Sequence, residues 1–267
     1  PRLRPASLRL RVENIMGSVA DTAFPAATHV SLAVVFQVRD ACLQVLGWQR
    51  QRDPFRGAYA LPGGYLAQGE SLEQSITRHL ATKVDVREVA HIEQLGTWSD
   101  PSRNPSEWQV VTAYLGLVAA DLDPVLPTDT AWHPVDALPT LAFDHGPIVM
   151  SARDRLRAKL SYTNLGFALA PPTFTISELR DIYVAALGHP VSATNLQRVL
   201  VRRGELQPTG DRRAPGAGGG RPASVFRFRT RGLEVTDASP VGAWMSPSQS
   251  EPMPTWSIPA AFTRAST

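Results

Sequence analysis

The sequence predicts an α+β protein of two units, a β-rich unit first and a helix-turn-helix with a β wing second. Three observations carry that prediction. Apolar runs of strand length, separated by turn signals, dominate residues 30–118. Residues 174–230 hold two short capped helices and then a hairpin rich in Gly and Arg. Charge divides at the same place: residues 1–150 carry 12 Arg/Lys against 16 Asp/Glu, and residues 151–267 carry 15 against 8. An acidic half joined to a basic half suggests a polyanion partner for one half only.

Composition narrows the function classes. A chain of 267 residues, 43% hydrophobic, accommodates two soluble cores. No run approaches the roughly 18 apolar residues of a membrane span. The N-terminus is basic (Arg2, Arg4, Arg9, Arg11) but no apolar stretch follows it, so no secretory signal is expected. Cys42 is the single cysteine, which forbids an internal disulfide and suits a reducing, cytoplasmic compartment.

Taken in order, residues 1–28 lack periodicity and are expected to form a disordered arm. The first domain is expected over 29–160. Residues 30–38 and 42–48 read as a hairpin around the polar pair Arg39-Asp40. A loop over 50–57 leads to Pro62-Gly63-Gly64, a sharp turn signal. Residues 71–83 read as a helix, 92–98 and 110–118 as strands. Residues 145–160 read as a second helix, with Ile148, Ala152, Leu156 and Leu160 repeating every four positions. A linker containing Pro171-Pro172 is expected over 161–173, the second domain over 174–236, and a disordered tail rich in Pro and Ser over 237–267.

The second domain carries its own punctuation. Thr175 and Glu178 have the spacing of a capping box, Phe174 and Leu179 that of a hydrophobic staple, and Gly188 is placed to end the helix. A second helix starts at Ser192 and ends before Gly204. Its apolar face is Leu196, Val199 and Leu200; Asn195, Arg198 and Arg202 lie opposite. Arg and Asn reach guanine and adenine edges, so Asn195 and Arg198 are the expected base contacts. Arg202, Arg212, Arg213 and Arg221 are expected at phosphates or in the minor groove. Thr175, Ser177 and Thr194 at the helix starts complete the expected DNA-facing set. Phe226 and Phe228 alternate with Arg227 and Arg229, as in a strand with one buried face.

Gly64, Glu70, Arg78, Leu80 and Val86, preceded by Leu61-Pro62-Gly63, resemble the Nudix box. That resemblance implies an α/β/α sandwich and, in hydrolases, box glutamates holding a divalent metal. Here three of those positions are His79, Thr82 and Lys83. Positions i, i+3 and i+4 share one helical face, and an imidazole, a hydroxyl and an ammonium are poor partners for a hard cation. No catalytic residue and no metal ligand is therefore expected; Glu70 is expected to be structural. Asp85 replaces the box glycine, a mild change because Asp tolerates the left-handed conformation. A nucleotide can still bind. Residues 94–103 resemble the loop of ADP-ribose-type Nudix proteins, and the expected ligand contacts are Arg56, Tyr59, Gly63, Gly64, Arg78, Gln94, Trp98 and Arg103.

Together, a Nudix sandwich followed by a winged helix resembles the Nudix-related transcriptional regulators of NAD metabolism, the NrtR family. The resemblance covers about residues 30–230. It implies a dimeric repressor of NAD biosynthesis or salvage genes that binds a palindromic double-stranded operator. It also implies an effector, ADP-ribose or NAD, in place of a cofactor. Two other readings remain open at this point: an active ADP-ribose pyrophosphatase with an accessory domain, and a nucleotide-binding adaptor whose basic domain contacts protein.

Overall fold

The computed structural model describes residues 26–214 and 222–236. The arm expected over 1–28 lies almost wholly outside them, and the tail over 237–267 and Arg221 lie entirely outside.

Strand β1 (Thr28–Arg39) is the spine of a seven-stranded mixed sheet. It pairs antiparallel with β2 (Cys42–Gln49) and parallel with β6 (Gln109–Leu117). The β1–β2 turn is Asp40-Ala41, both at positive φ (50° and 59°), as a two-residue hairpin requires. It sits one residue later than the polar pair suggested. Beyond β2 lie β3 (Tyr59–Ala60) and β7 (Thr130–Pro134). Strand β4 (Gly63–Tyr65) adds to β1, and β5 (His91–Trp98) to β6.

Side-chain alternation along β1 divides the core into two layers. Ala33 and Val35 face helix α1 (Leu72–Lys83), where they meet Ile76 and Leu80. Leu32, Val34 and Phe36 face helix α2 (His145–Tyr162), where they meet Ile148, Ala152 and Leu156. Helix α1 starts on a capping box between Ser71 and Gln74. Asp85, just beyond it, has φ 51°, the left-handed conformation expected where the box glycine is replaced.

The second domain comprises β8 (Phe174–Thr175), α3 (Ile176–Leu187), α4 (Ala193–Arg202), β9 (Leu206–Arg213) and β10 (Ala223–Phe228). Both bonds of the Thr175–Glu178 capping box are present, and Gly188 caps α3 at φ 76°. Strands β8, β10 and β9 form a small antiparallel sheet. A register shift between Ser224 and Phe226 lets Val225 and Phe226 both turn inward.

Of residues 161–173, expected as a linker, Pro172 and Thr173 are exposed but 163–170 are buried. Leu165, Phe167, Ala168, Leu169 and Ala170 are buried in the core cluster that also holds α2, α3 and α4 side chains. An apolar run of this length is more stable inside than in water, and the 3-10 turn Leu165–Ala168 keeps its backbone hydrogen-bonded. Contact is close: a Cβ added to Gly166 would lie 2.4 Å from the hydroxyl of Tyr183, itself fully buried on α3. The chain after the wing returns to the joint. Asn164 donates to the carbonyl of Gly232 (2.8 Å) and accepts from the amide of Glu234 (2.8 Å), and Arg203 donates to the carbonyl of Ser161 (2.6 Å).

Candidate nucleotide cleft and DNA-facing surface

The turn at Gly63-Gly64 shapes a cleft of about 990 Å³. A Cβ on Gly63 would stand 2.1 Å from the carbonyl oxygen of Ser31, and one on Gly64 would stand 2.6 Å from the His79 ring. Only glycine lets β4 approach β1 and α1 this closely. Opposite the turn, the loop after β2 contributes Arg50 and Arg52, and the loop before β6 contributes Arg103 and Glu107; His145 closes the floor.

Two box positions point into this space. Nζ of Lys83 donates to the carbonyl of Gly63 (2.6 Å) and stands 4.8 Å over the Trp48 ring. His79 Nε2 is 3.1 Å from the carbonyl oxygen of Tyr65. Both side chains also line the cleft. Burial, reinforced by Arg50, Arg52 and Arg78, lowers the Lys83 pKa, and burial lowers that of His79. Thr82 turns back and donates to the carbonyl of Arg78 (2.7 Å).

The surviving carboxylates are engaged elsewhere. Glu70 accepts two bonds from Arg78 (2.6 Å each) and one from the Ala67 amide (3.0 Å). The Arg78 guanidinium holds the Glu70 carboxyl down at about 2. Glu73 is exposed beside Tyr114 and does not line the cleft. A divalent metal of the Nudix kind does not fit this wall, because an ammonium and an imidazole face the cleft where anionic oxygens would be needed. Among the described residues, no three His, Cys, Asp or Glu side chains are grouped to hold an ion.

Helix α4 buries Leu196, Val199 and Leu200 and exposes the opposite side. Ser192 caps its start. The Arg198 guanidinium donates to Oδ1 of Asn195 (2.6 Å), so the two side chains form one exposed unit. Thr194, Arg202 and Arg212 are exposed, and Arg213 pairs with Glu178 of α3.

Residues 28–152 match the NUDIX domain family, and residues 166–228 match the NrtR DNA-binding winged helix domain. The ADPR responsive transcriptional repressor NtrR of Acinetobacter baylyi is 32% identical over 201 residues, 73% of this chain and 79% of that protein. The chain belongs to the NrtR family. A crystal structure of Shewanella oneidensis NrtR complexed with a 27mer DNA is 34% identical, with a TM-score of 0.64 over 75% of this chain and 93% of that one. The ADP-ribose pyrophosphatase of Methanocaldococcus jannaschii is 29% identical over 119 residues, 43% of this chain and 68% of that enzyme.

Within this NrtR-family chain the expected ligand contacts divide. Gly63, Gly64, Arg78 and Arg103 line the cleft. Arg56, Tyr59, Gln94 and Trp98 do not. Arg56 stands in solvent 3.7 Å from Asp53, Tyr59 packs on His133 (ring centroids 4.1 Å apart), Gln94 is exposed on β5, and Trp98 packs partly against the core. Arg103 is buried in a bidentate pair with Asp144 (3.0 and 2.5 Å) and also donates to Gln109 (2.8 Å). Its charge is therefore spent on a carboxylate, as is that of Arg78. Among the expected DNA contacts, Thr175 is buried and its hydroxyl serves the α3 cap, whereas Ser177 is exposed. Arg50, Lys83 and His145 escaped the sequence reading as cleft residues. The box register contained a signal for Lys83, since its helical face is the one that holds metal in hydrolases.

Proposed function

We propose that this chain is a DNA-binding transcriptional repressor of NAD biosynthesis or salvage genes, controlled by a non-hydrolysed nucleotide such as ADP-ribose in the Nudix cleft. The observation that carries this reading is the pairing of a cationic cleft, with Lys83 and His79 at box carboxylate positions, and a winged helix with an exposed Asn/Arg face. The repressor name of the A. baylyi relative and the DNA-bound state of the S. oneidensis relative support it.

Without anionic ligands for a metal, the diphosphate loses the Lewis acid that polarises it and activates water. Binding is retained and turnover is lost. Asn195 and Arg198 read bases; Arg202 and Arg212 meet phosphates, joined by Arg213 when it leaves Glu178. Ser177 and Thr194 contact backbone at the helix starts, where N–H groups favour anions. One helix-turn-helix unit discriminates too few base pairs against a genome. The working form is accordingly a homodimer on a palindromic operator, with half-sites about one helical turn apart. The test is mobility shift on the chain's own upstream region with and without ADP-ribose or NAD, beside a hydrolysis assay in magnesium and manganese. Operator binding altered by the nucleotide, without cleavage, is the expected result. Cleavage abolished by Glu70→Gln would make the chain a pyrophosphatase instead.

A further inference from the structure

The cleft contains a cation of its own. Lys83 is the last residue of α1, and its ammonium is fixed rather than free: Gly63 accepts one of its protons and the Trp48 face lies 4.8 Å away. An ammonium carries three donors, so two protons are left for a ligand. The carboxylates around it are engaged elsewhere: Glu70 is held by Arg78, Glu73 lies outside the cleft, and of the two that line the cleft Asp53 stands 3.7 Å from Arg56 and Glu107 accepts from the Tyr65 hydroxyl (2.5 Å). Arg50 and Arg52 face the same space from the β2 side.

In the Nudix arrangement, a divalent ion bridges box carboxylates to the diphosphate. Here the bridging ion has no anionic wall to stand on, and a protein-borne positive charge faces the cleft from that wall. Building on the reading of this cleft as a nucleotide effector site, we propose that Lys83 takes over the electrostatic role of the divalent metal, so that the diphosphate of the effector binds this chain without any metal ion. The site thereby selects nucleotides in their metal-free form. A magnesium-complexed diphosphate would bring a cation against Lys83, and like charges this close repel in a partly dehydrated cleft.

Calorimetric titration of the full chain with ADP-ribose, in EDTA and in excess magnesium, tests this directly. We expect affinity in EDTA equal to or above that in magnesium. Lys83→Gln should lose about tenfold or more in EDTA, the usual scale of a charge-assisted contact to phosphate, while Lys83→Arg keeps most of it. Circular dichroism checks that each variant folds. Lys83→Glu should bind weakly in EDTA and recover when magnesium or manganese is added, because it restores an anionic oxygen to the wall. Wild-type binding that requires magnesium, or wild-type affinity in folded Lys83→Gln, overturns the proposal and leaves the effector reading intact. No binding of ADP-ribose in either buffer overturns the effector reading, and this proposal with it.

Discussion

Replacing Arg103 with alanine strands Asp144. The guanidinium is 2% exposed, spans both carboxylate oxygens of Asp144 and holds Oε1 of Gln109. Asp144 sits immediately before α2, so the pair ties the loop that precedes β6 to the start of that helix. Removing one partner of a buried ion pair costs about 3–5 kcal/mol. The Asp144 side chain is 24% exposed, so water can partly solvate the orphan and the cost falls near ~3 kcal/mol. At about 2–4 °C per kcal/mol for a chain of this size, Arg103→Ala should lower Tm by roughly 6–12 °C. Thermal unfolding followed by circular dichroism measures it. Arg103→Ala combined with Asp144→Asn should regain part of the loss, because the uncompensated charge is gone. A melting temperature within a degree of wild type, with nucleotide affinity reduced, would refute this reasoning and return Arg103 to the ligand-binding set.

On DNA, Arg198→Ala should cost about 1–3 kcal/mol and relax preference at one position of each half-site, whereas Arg212→Ala should weaken all sequences alike and reduce the salt slope by about one unit; titrations on operator and random duplexes at several salt concentrations separate the two. His145 accepts from the Leu61 amide at Nδ1 (3.0 Å), and burial, with Arg103 and Arg50 nearby, pushes its pKa from 6.5 to about 3. The unfolded chain binds that proton first, so stability should fall as pH drops through this window, and His145→Gln should flatten the fall in urea midpoint between about pH 7 and about pH 5. Glu205 has the opposite sign: burial raises its pKa from 4.5 to about 7, against the lowering effect of Thr236 and Arg203. Its contribution is fully present below the unfolded value and lost as pH rises through about 7, so Glu205→Gln should raise the urea midpoint most on the alkaline side.

Much of this architecture was legible locally. The Thr175–Glu178 spacing, Gly188 and the four-residue repeat of α2 each act within one or two turns of chain, where sequence neighbours are spatial neighbours. Strands β7 and β9 were not. Residues 120–134 are crowded with Asp and Pro, and β9 carries Pro208 and Gly210, which depress strand character. Only pairing with β2 and β10 holds them extended. In the cleft, Gly63 and Gly64 were legible because the demand for glycine is a backbone property of one turn. The fate of Arg103 was not, because it depends on Asp144, which lies 41 positions away. The same holds for Arg50 and His145, which the fold brings to the cleft from the loop after β2 and from the start of α2.

The buried segment from Leu165 to Ala170 has a consequence for inheritance and engineering. Domains joined by an exposed tether can be exchanged as cassettes, because each carries its own seams. Here the seam runs through the interior: Phe167 and Tyr183 are buried in one core with side chains of α2, and Asn164 is stitched to residues 232–234. A chimera that keeps this sensor and borrows another reader must therefore carry residues 163–170 together with their partners on α3 and at residues 232–234. A cut at Pro171-Pro172, the place the sequence most invites, would open the interior on both halves. Reader and sensor in this chain are expected to evolve new specificities by surface change on α4 and in the cleft, and only slowly by reshuffling.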